Sequence, residues 1–143
     1  MENQVHIGKL LTSLAHNINR KIGKELAEYD ITSIQGKILG FLYFNSGKKD
    51  IFQKNIEEEF NIRRSSVTSV LQLMEKNGYI QRVSVIEDAR LKKIVLTERG
   101  VDTYNKVYNS ILKVERSLVE ELSKEEMDIL ITLISRLSKK VAD

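Results

Sequence analysis

A chain of 143 residues with a formal net charge of +3 and no cysteine is one domain by length, able to bury roughly two thirds of its unfolded surface. The missing cysteine excludes a disulfide framework and a thiol switch, and without a secretory leader or a long apolar run a soluble, cytoplasmic protein with no membrane partner is expected. No Gly-rich phosphate loop, no Ser-His-Asp or Cys-His arrangement and no paired carboxylates on a recognisable cleft appear, so neither an enzyme nor a bound cofactor is expected.

From Val5 to about Tyr29, Ile7, Leu11, Leu14, Ile18, Ile22 and Tyr29 recur on one side at helical spacing, which predicts a long amphipathic helix. Asp30-Ile31 breaks it. Thr32-Ser33-Ile34-Gln35 then has the Thr-x-x-Gln form of a capping box that opens a second helix, with Ile34, Ile38, Leu39, Leu42 and Tyr43 as its predicted buried side. Gly36 and Gly40 each cost that helix about 1 kcal/mol relative to alanine; their spacing indicates close helix contact or room for a ligand. Residues 45–50 read as a turn with Asp50 as a cap, and Phe52 to Phe60 as a short helix with Ile56 and Phe60 facing the core.

A fourth helix is predicted from Arg63 to Lys76. Val67, Val70, Leu71 and Met74 stand at i, i+3, i+4 and i+7 and form an apolar stripe, while the opposite side carries Ser65, Thr68, Ser69, Gln72 and Lys76. An ordinary solvated face would usually carry Glu and Lys pairs at i, i+4. Short hydroxyls, an amide and a lysine instead suit hydrogen bonding to base edges and phosphates, with no carboxylate to repel DNA. Asn77-Gly78 terminates the helix, since glycine takes the left-handed conformation freely.

Tyr79 to Val85 and Leu91 to Leu96 are rich in β-branched residues, with Ile86-Glu87-Asp88-Ala89-Arg90 between them and Lys92-Lys93 just after. This predicts a β-hairpin with a basic tip. Residues 61–100 hold eight Lys/Arg against four Asp/Glu, a balance of +4, while the rest of the chain stands at −1. Positive charge is thus concentrated where phosphates would be approached. Thr97 is placed to cap a long helix from Glu98 to about Leu122, lined by Val101, Tyr104, Tyr108, Ile111, Leu112, Leu118 and Leu122. Ser123-Lys124-Glu125-Glu126 is another capping box, with Leu122 and Met127 as a hydrophobic staple. The last helix carries Met127, Leu130, Ile131, Ile134, Leu137 and Val141 on one side, more apolar surface than a lone terminal helix needs.

A polar-faced helix followed directly by a basic hairpin is the layout of a winged helix-turn-helix, and Val67 to Arg82 resembles the recognition helix and strand entry of the MarR family of bacterial transcriptional regulators. Asp88-Ala89-Arg90 matches that family's Asp-x-Arg wing motif, and Leu96-Thr97-Glu98-Arg99-Gly100 its Leu-Thr-x-x-Gly exit. The similarity in layout covers nearly the whole chain and is closest in look to multidrug-sensing members. It implies a mainly α fold with a small β-wing: a winged helix-turn-helix lobe over residues 31–96, flanked by dimerisation helices over 1–29 and 98–143. It further implies a homodimeric regulator of double-stranded DNA, a repressor of a palindromic operator released by a small-molecule ligand.

Arg63, Arg64, Ser65, Ser66, Thr68, Ser69, Gln72 and Lys76 are then the DNA-binding residues of the helix, with Gln72 able to read adenine through its amide. By match to the family, Arg90 enters the minor groove and Asp88 holds the wing, with Lys92 and Lys93 adding backbone contacts. The family more often has Ser or Thr where Phe52 and Arg63 stand; without those caps, a DNA phosphate is expected to satisfy the N–H groups beside Arg63. A small lipophilic or phenolic ligand, as the resemblance implies, would sit near Phe41, Tyr43, Phe44 and His16, although core packing explains the same aromatics equally well. Two competing readings are a winged-helix protein–protein module without DNA binding and a metal-responsive regulator. The second is disfavoured because His6 and His16, the only histidines, stand ten residues apart and form no i, i+4 ligand pair.

Overall fold

The computed structural model describes residues 5–142. In chain order it contains α1 (Ile7–Leu26) with a 3-10 turn (Ala27–Tyr29), α2 (Ser33–Asn45), α3 (Gln53–Phe60), α4 (Arg64–Lys76), β1 (Ile80–Ser84), β2 (Lys92–Leu96), α5 (Glu98–Glu121) and α6 (Lys124–Val141). The contacts divide the chain into two compact units, residues 1–111 and 112–143, so the boundary falls within α5. The expected fold, mainly α with a small wing, is the observed one.

Local chemistry explains most element ends. Asp30, in the left-handed region at φ 59°, ends the first helical stretch. The capping box of α2 is complete: the Gln35 N–H donates to Thr32 Oγ1 at 3.3 Å, and the Thr32 N–H to Gln35 Oε1 at 2.9 Å. Ser123 and Glu126 form the same reciprocal pair before α6. Thr97 Oγ1 accepts the Gly100 N–H at 3.0 Å and donates to the Gly78 carbonyl, joining the end of α4 to the start of α5.

Asp50 is not a cap. The helix starts three residues later, at Gln53, and the Asp50 carboxylate faces Lys93 Nζ at 3.8 Å. Phe52 occupies the cap position, where its own N–H donates to Asn55 Oδ1 at 2.8 Å; a phenyl ring cannot return a bond, so half a capping box is present.

The core of the first unit is built from Leu26 of α1 and Ile31 just after it, Ile38, Leu39 and Leu42 of α2, Ile56 of α3, Val67, Leu71 and Met74 of α4, and Ile80 and Ile94 of the wing, all buried. Tyr43, predicted as part of the buried side of α2, is instead 38% exposed and stacks on Tyr104 with ring centroids 5.0 Å apart. On α5 the fully buried residue is Val107, which the sequence reading passed over, while Tyr108 is 36% exposed. Gly40 has a reason to be glycine, because a Cβ there would meet the Tyr104 ring at 3.1 Å. Gly36 would meet Leu26 Cδ1 at 2.7 Å. Both are therefore points of close helix contact.

The two strands are antiparallel, with Ile80 opposite Leu96, Arg82 opposite Ile94 and Ser84 opposite Lys92. The outer edge of β2 is tied back to the lobe by the Ile94 N–H, which donates to the Ile51 carbonyl at 2.7 Å. Among the described residues no helix is long and apolar enough to cross a membrane.

Candidate nucleic-acid interface

Helix α4 buries Val67, Leu71 and Met74 against the lobe, which turns the other side of the cylinder outward. Ser65, Ser66, Ser69, Gln72 and Lys76 are all exposed on it, as are Arg63 and Arg64 at its start. Thr68 is half-buried. Its hydroxyl oxygen accepts a hydrogen bond from Gln53 Nε2 of α3 at 2.8 Å, and the same amide nitrogen donates to the Arg64 carbonyl at 3.4 Å. Ser69 Oγ donates to the Ser65 carbonyl at 3.2 Å. At the N-terminus, Arg63 takes the cap position in extended backbone (φ −65°, ψ 147°) with no side chain accepting from the first turn. The exposed N–H groups there are an anion site by geometry and by the helix dipole.

The wing tip is shaped by Asp88. Its Oδ1 accepts the Arg90 backbone N–H at 2.9 Å and lies 3.3 Å from Arg90 Nε, and its carbonyl accepts the Leu91 N–H at 3.0 Å. A carboxylate that closes a turn on its own backbone two residues on is a local device open to Asp and Asn. The ion pair itself adds little, since the Arg90 side chain is 91% exposed and pairs in water are worth under about 1 kcal/mol. Arg90 is thus held at its root and free at its tip.

Lys92 and Lys93 part company, because adjacent strand residues point to opposite faces. Lys92 Nζ donates to Ser84 Oγ at 2.6 Å across the hairpin. Lys93 turns the other way, to Asp50. A cleft of about 520 Å³ brings together Arg64, Arg90 and Lys92 with Phe52, Gln53, Lys54, Glu57, Arg82 and Leu91. Five of its nine lining side chains are cationic and one is acidic. It runs between the start of the helix-turn-helix and the wing, where a phosphate backbone passing from one to the other would lie.

Comparison with known proteins agrees with this geometry. The family model described as MarR family matches residues 29–91. The HTH-type transcriptional regulator PecS of Dickeya dadantii (strain 3937) is 27% identical over 126 residues, 88% of this chain and 76% of that protein. Among solved structures, the S. aureus MepR–DNA complex superposes with a TM-score of 0.90 at 25% identity, over 96% of this chain and 100% of that one. The MarR regulator of Oenococcus oeni PSU-1 gives a TM-score of 0.78 at 25% identity, over 94% and 99% of the two chains. Residues 29–91 match the MarR family, and the chain as a whole is similar to transcriptional regulators.

Within this lobe, sequence reading missed three residues of the cleft. Lys54 and Gln53 lie on α3, outside the stretch on which the basic charge is concentrated, and nothing in their local pattern marks them. Arg82 was visible only as a strand residue. Its backbone N–H donates to Glu75 Oε2 at 3.3 Å and its Nε lies 3.8 Å from Glu75 Oε1, while Nε and Nη2 are buried without a hydrogen bond. The end of α4 and the first strand of the wing are thereby joined through one cation.

Of the ligand candidates, the exposed Tyr43 and Phe44 fall in one aromatic cluster with Tyr108 and the buried Tyr104, their centroids 5.0 to 6.4 Å apart. Phe41 is turned away from that cluster and packs edge-on against Phe60 at 5.8 Å. His16 is exposed on α1. Among the described residues no group of three or more His, Cys, Asp or Glu is placed to hold a metal ion.

Proposed function

We propose that this protein is a sequence-specific DNA-binding transcriptional regulator that acts in the cytoplasm as a homodimeric repressor of a palindromic operator. The observation that carries the reading is the outward face of α4, which presents hydroxyls, an amide and basic groups, its one exposed carboxylate, Glu75, being engaged by Arg82, next to an arginine exposed at the wing tip. The likeness to MepR in complex with DNA supports the same docking.

In that docking each subunit lays α4 in a major groove, and a twofold axis spaces the two helices about one turn of DNA, ~34 Å, apart. Ser65, Ser66, Thr68, Ser69 and Gln72 meet base edges or phosphates. Arg63, Arg64, Lys76 and Lys92 neutralise the backbone, and Arg90, braced by Asp88, enters the minor groove. Lys93 is the weakest member of the set, because Asp50 already engages it. Residues 31–96 form the reading lobe, and 1–29 with 98–143 pair the subunits.

Release of the operator is assigned to a small lipophilic or phenolic ligand taken up beside Tyr43 and Phe44, where exposed rings offer apolar area and a phenol to hydrogen-bond. Selection from a random duplex pool tests the whole reading. An enriched palindrome with half-sites one helical turn apart supports it; a pool that enriches nothing at modest ionic strength overturns it.

A further inference from the structure

Two neighbouring hydroxyls on α4 have been given opposite hydrogen-bonding characters, and a residue outside the helix is responsible for one of them. A threonine within a helix ordinarily donates its hydroxyl hydrogen back to the carbonyl four residues earlier, here that of Arg64. Gln53 Nε2 prevents this. It donates to the Arg64 carbonyl at 3.4 Å and to Thr68 Oγ1 at 2.8 Å, occupying both the acceptor that Thr68 would use and one lone pair of the hydroxyl itself. The orientation of the amide is assigned from the Arg64 carbonyl, which only accepts and so is faced by the NH2. The Thr68 hydrogen is left pointing away from α3.

Ser69 has no such partner and donates to the Ser65 carbonyl at 3.2 Å, an arrangement that turns its lone pairs outward. Thr68 thus offers a donor and Ser69 an acceptor. In the major groove a donor is met by N7 or O6 of guanine, N7 of adenine or O4 of thymine, and an acceptor by the amino group of adenine or cytosine.

We propose that Gln53 is a specificity-determining positioning residue, which fixes the Thr68 hydroxyl as a hydrogen-bond donor toward the DNA. The proposal rests on the DNA-binding reading above. It goes further in assigning a direction to each hydroxyl and in moving part of the specificity onto α3.

The test is selection from a random duplex pool with the full-length wild type and the variants Thr68→Val, Gln53→Met and Gln53→Glu, with melting temperatures as a check on folding. Thr68→Val identifies the base position that the hydroxyl reads, and the wild type should prefer an acceptor edge there. Gln53→Met frees Thr68 to donate to the Arg64 carbonyl, and should weaken the preference at that same position by roughly 3- to 10-fold, the worth of one hydrogen bond, with no further loss when Gln53→Met is combined with Thr68→Val. Gln53→Glu can only accept, takes the Thr68 hydrogen, and should move the preference toward bases that carry an amino group. Retention of the wild-type preference in both Gln53 variants overturns the proposal, as does an equal loss of affinity for every sequence. A wild-type pool that enriches no site overturns the DNA-binding reading itself, and this proposal with it.

Discussion

In the proposed docking, Arg90 and Gln72 would divide the work of binding between two kinds of side chain. Arg90 is anchored through its backbone N–H to Asp88 and exposes 91% of its side chain, so in that docking it would meet the duplex as a mobile cation. Arg90→Ala should weaken binding at every sequence alike and lower the slope of log affinity against log salt by about 0.9 for one lost phosphate contact; unchanged affinity would remove the wing from the mechanism. Gln72, exposed in the middle of α4, offers a donor and an acceptor on one planar group. Gln72→Ala should leave the salt slope alone and relax preference at a single base position, at about 1 to 3 kcal/mol. A competition titration over single-base operator variants separates the two patterns. Tyr104 makes a different kind of prediction. Burial first, and then repulsion from Tyr108 and Tyr43, push its phenol up to about 12 from an ordinary 10. The folded chain holds this proton to higher pH than the unfolded chain does, so stability is complete below pH 10 and is lost as pH rises toward 12. The urea midpoint should fall across that window, and Tyr104→Phe should remove part of the fall; an identical pH profile in the variant would show that the ring does not titrate as described.

Helix α4 begins without a side-chain cap, and that absence is a testable property of the element. Arg63 holds the backbone geometry of a cap residue but no acceptor for the first-turn N–H groups. Arg63→Ser should stabilise the free protein by about 1 kcal/mol and at the same time weaken DNA binding, because the serine hydroxyl competes with the phosphate for those N–H groups and a cation is lost. Both are read from a urea midpoint and a binding titration, and the idea fails if neither moves. Caps were the most legible feature of the sequence for a physical reason. The pairs at Thr32 with Gln35, Ser123 with Glu126, and Thr97 with Gly100 each span three residues, so the chemistry is complete within a short window. What could not be read was set by partners far along the chain. Asp50 has cap chemistry, yet Lys93 takes its carboxylate. Tyr43 has core chemistry, yet the Tyr104 ring packs over Gly40 and leaves Tyr43 at the surface. The bond from Gln53 to Thr68 joins residues fifteen positions apart, and no periodicity encodes it. The wing was legible as a hairpin through its β-branched runs, but the opposite facing of Lys92 and Lys93 matters only once the lobe behind the strand is known.

At the scale of the molecule, apolar surface remains for which the single chain has no use. On α1, Ile7, Leu10, Leu11 and Leu14 are 36% to 57% exposed, although Ile22 and Leu26 on the same helix are buried. On α6, Ile129, Leu130, Ile131, Leu133, Ile134, Leu137 and Val141 are 37% to 80% exposed, and no described residue of that helix is fully buried. Soluble monomers rarely display contiguous apolar patches larger than a few hundred Å², and a second copy of the same chain is the partner that the proposed palindromic operator would require. Leu137→Glu distinguishes the possibilities sharply. On a monomer's surface the substitution should change stability by less than about 0.5 kcal/mol. In a twofold interface it places an unpaired carboxylate in each half, and burying a charge without a partner costs several kcal/mol. The variant should therefore sediment as a monomer at concentrations where the wild type is a dimer, while its melting transition becomes independent of protein concentration. Because both lobes must be held about one turn of DNA apart to engage two half-sites together, affinity for the palindrome should fall toward that for an isolated half-site, and the base preferences read by α4 should persist. A Leu137→Glu protein that stays dimeric and binds the palindrome undiminished would show that α6 does not join the subunits, and the twofold docking would then need a different interface.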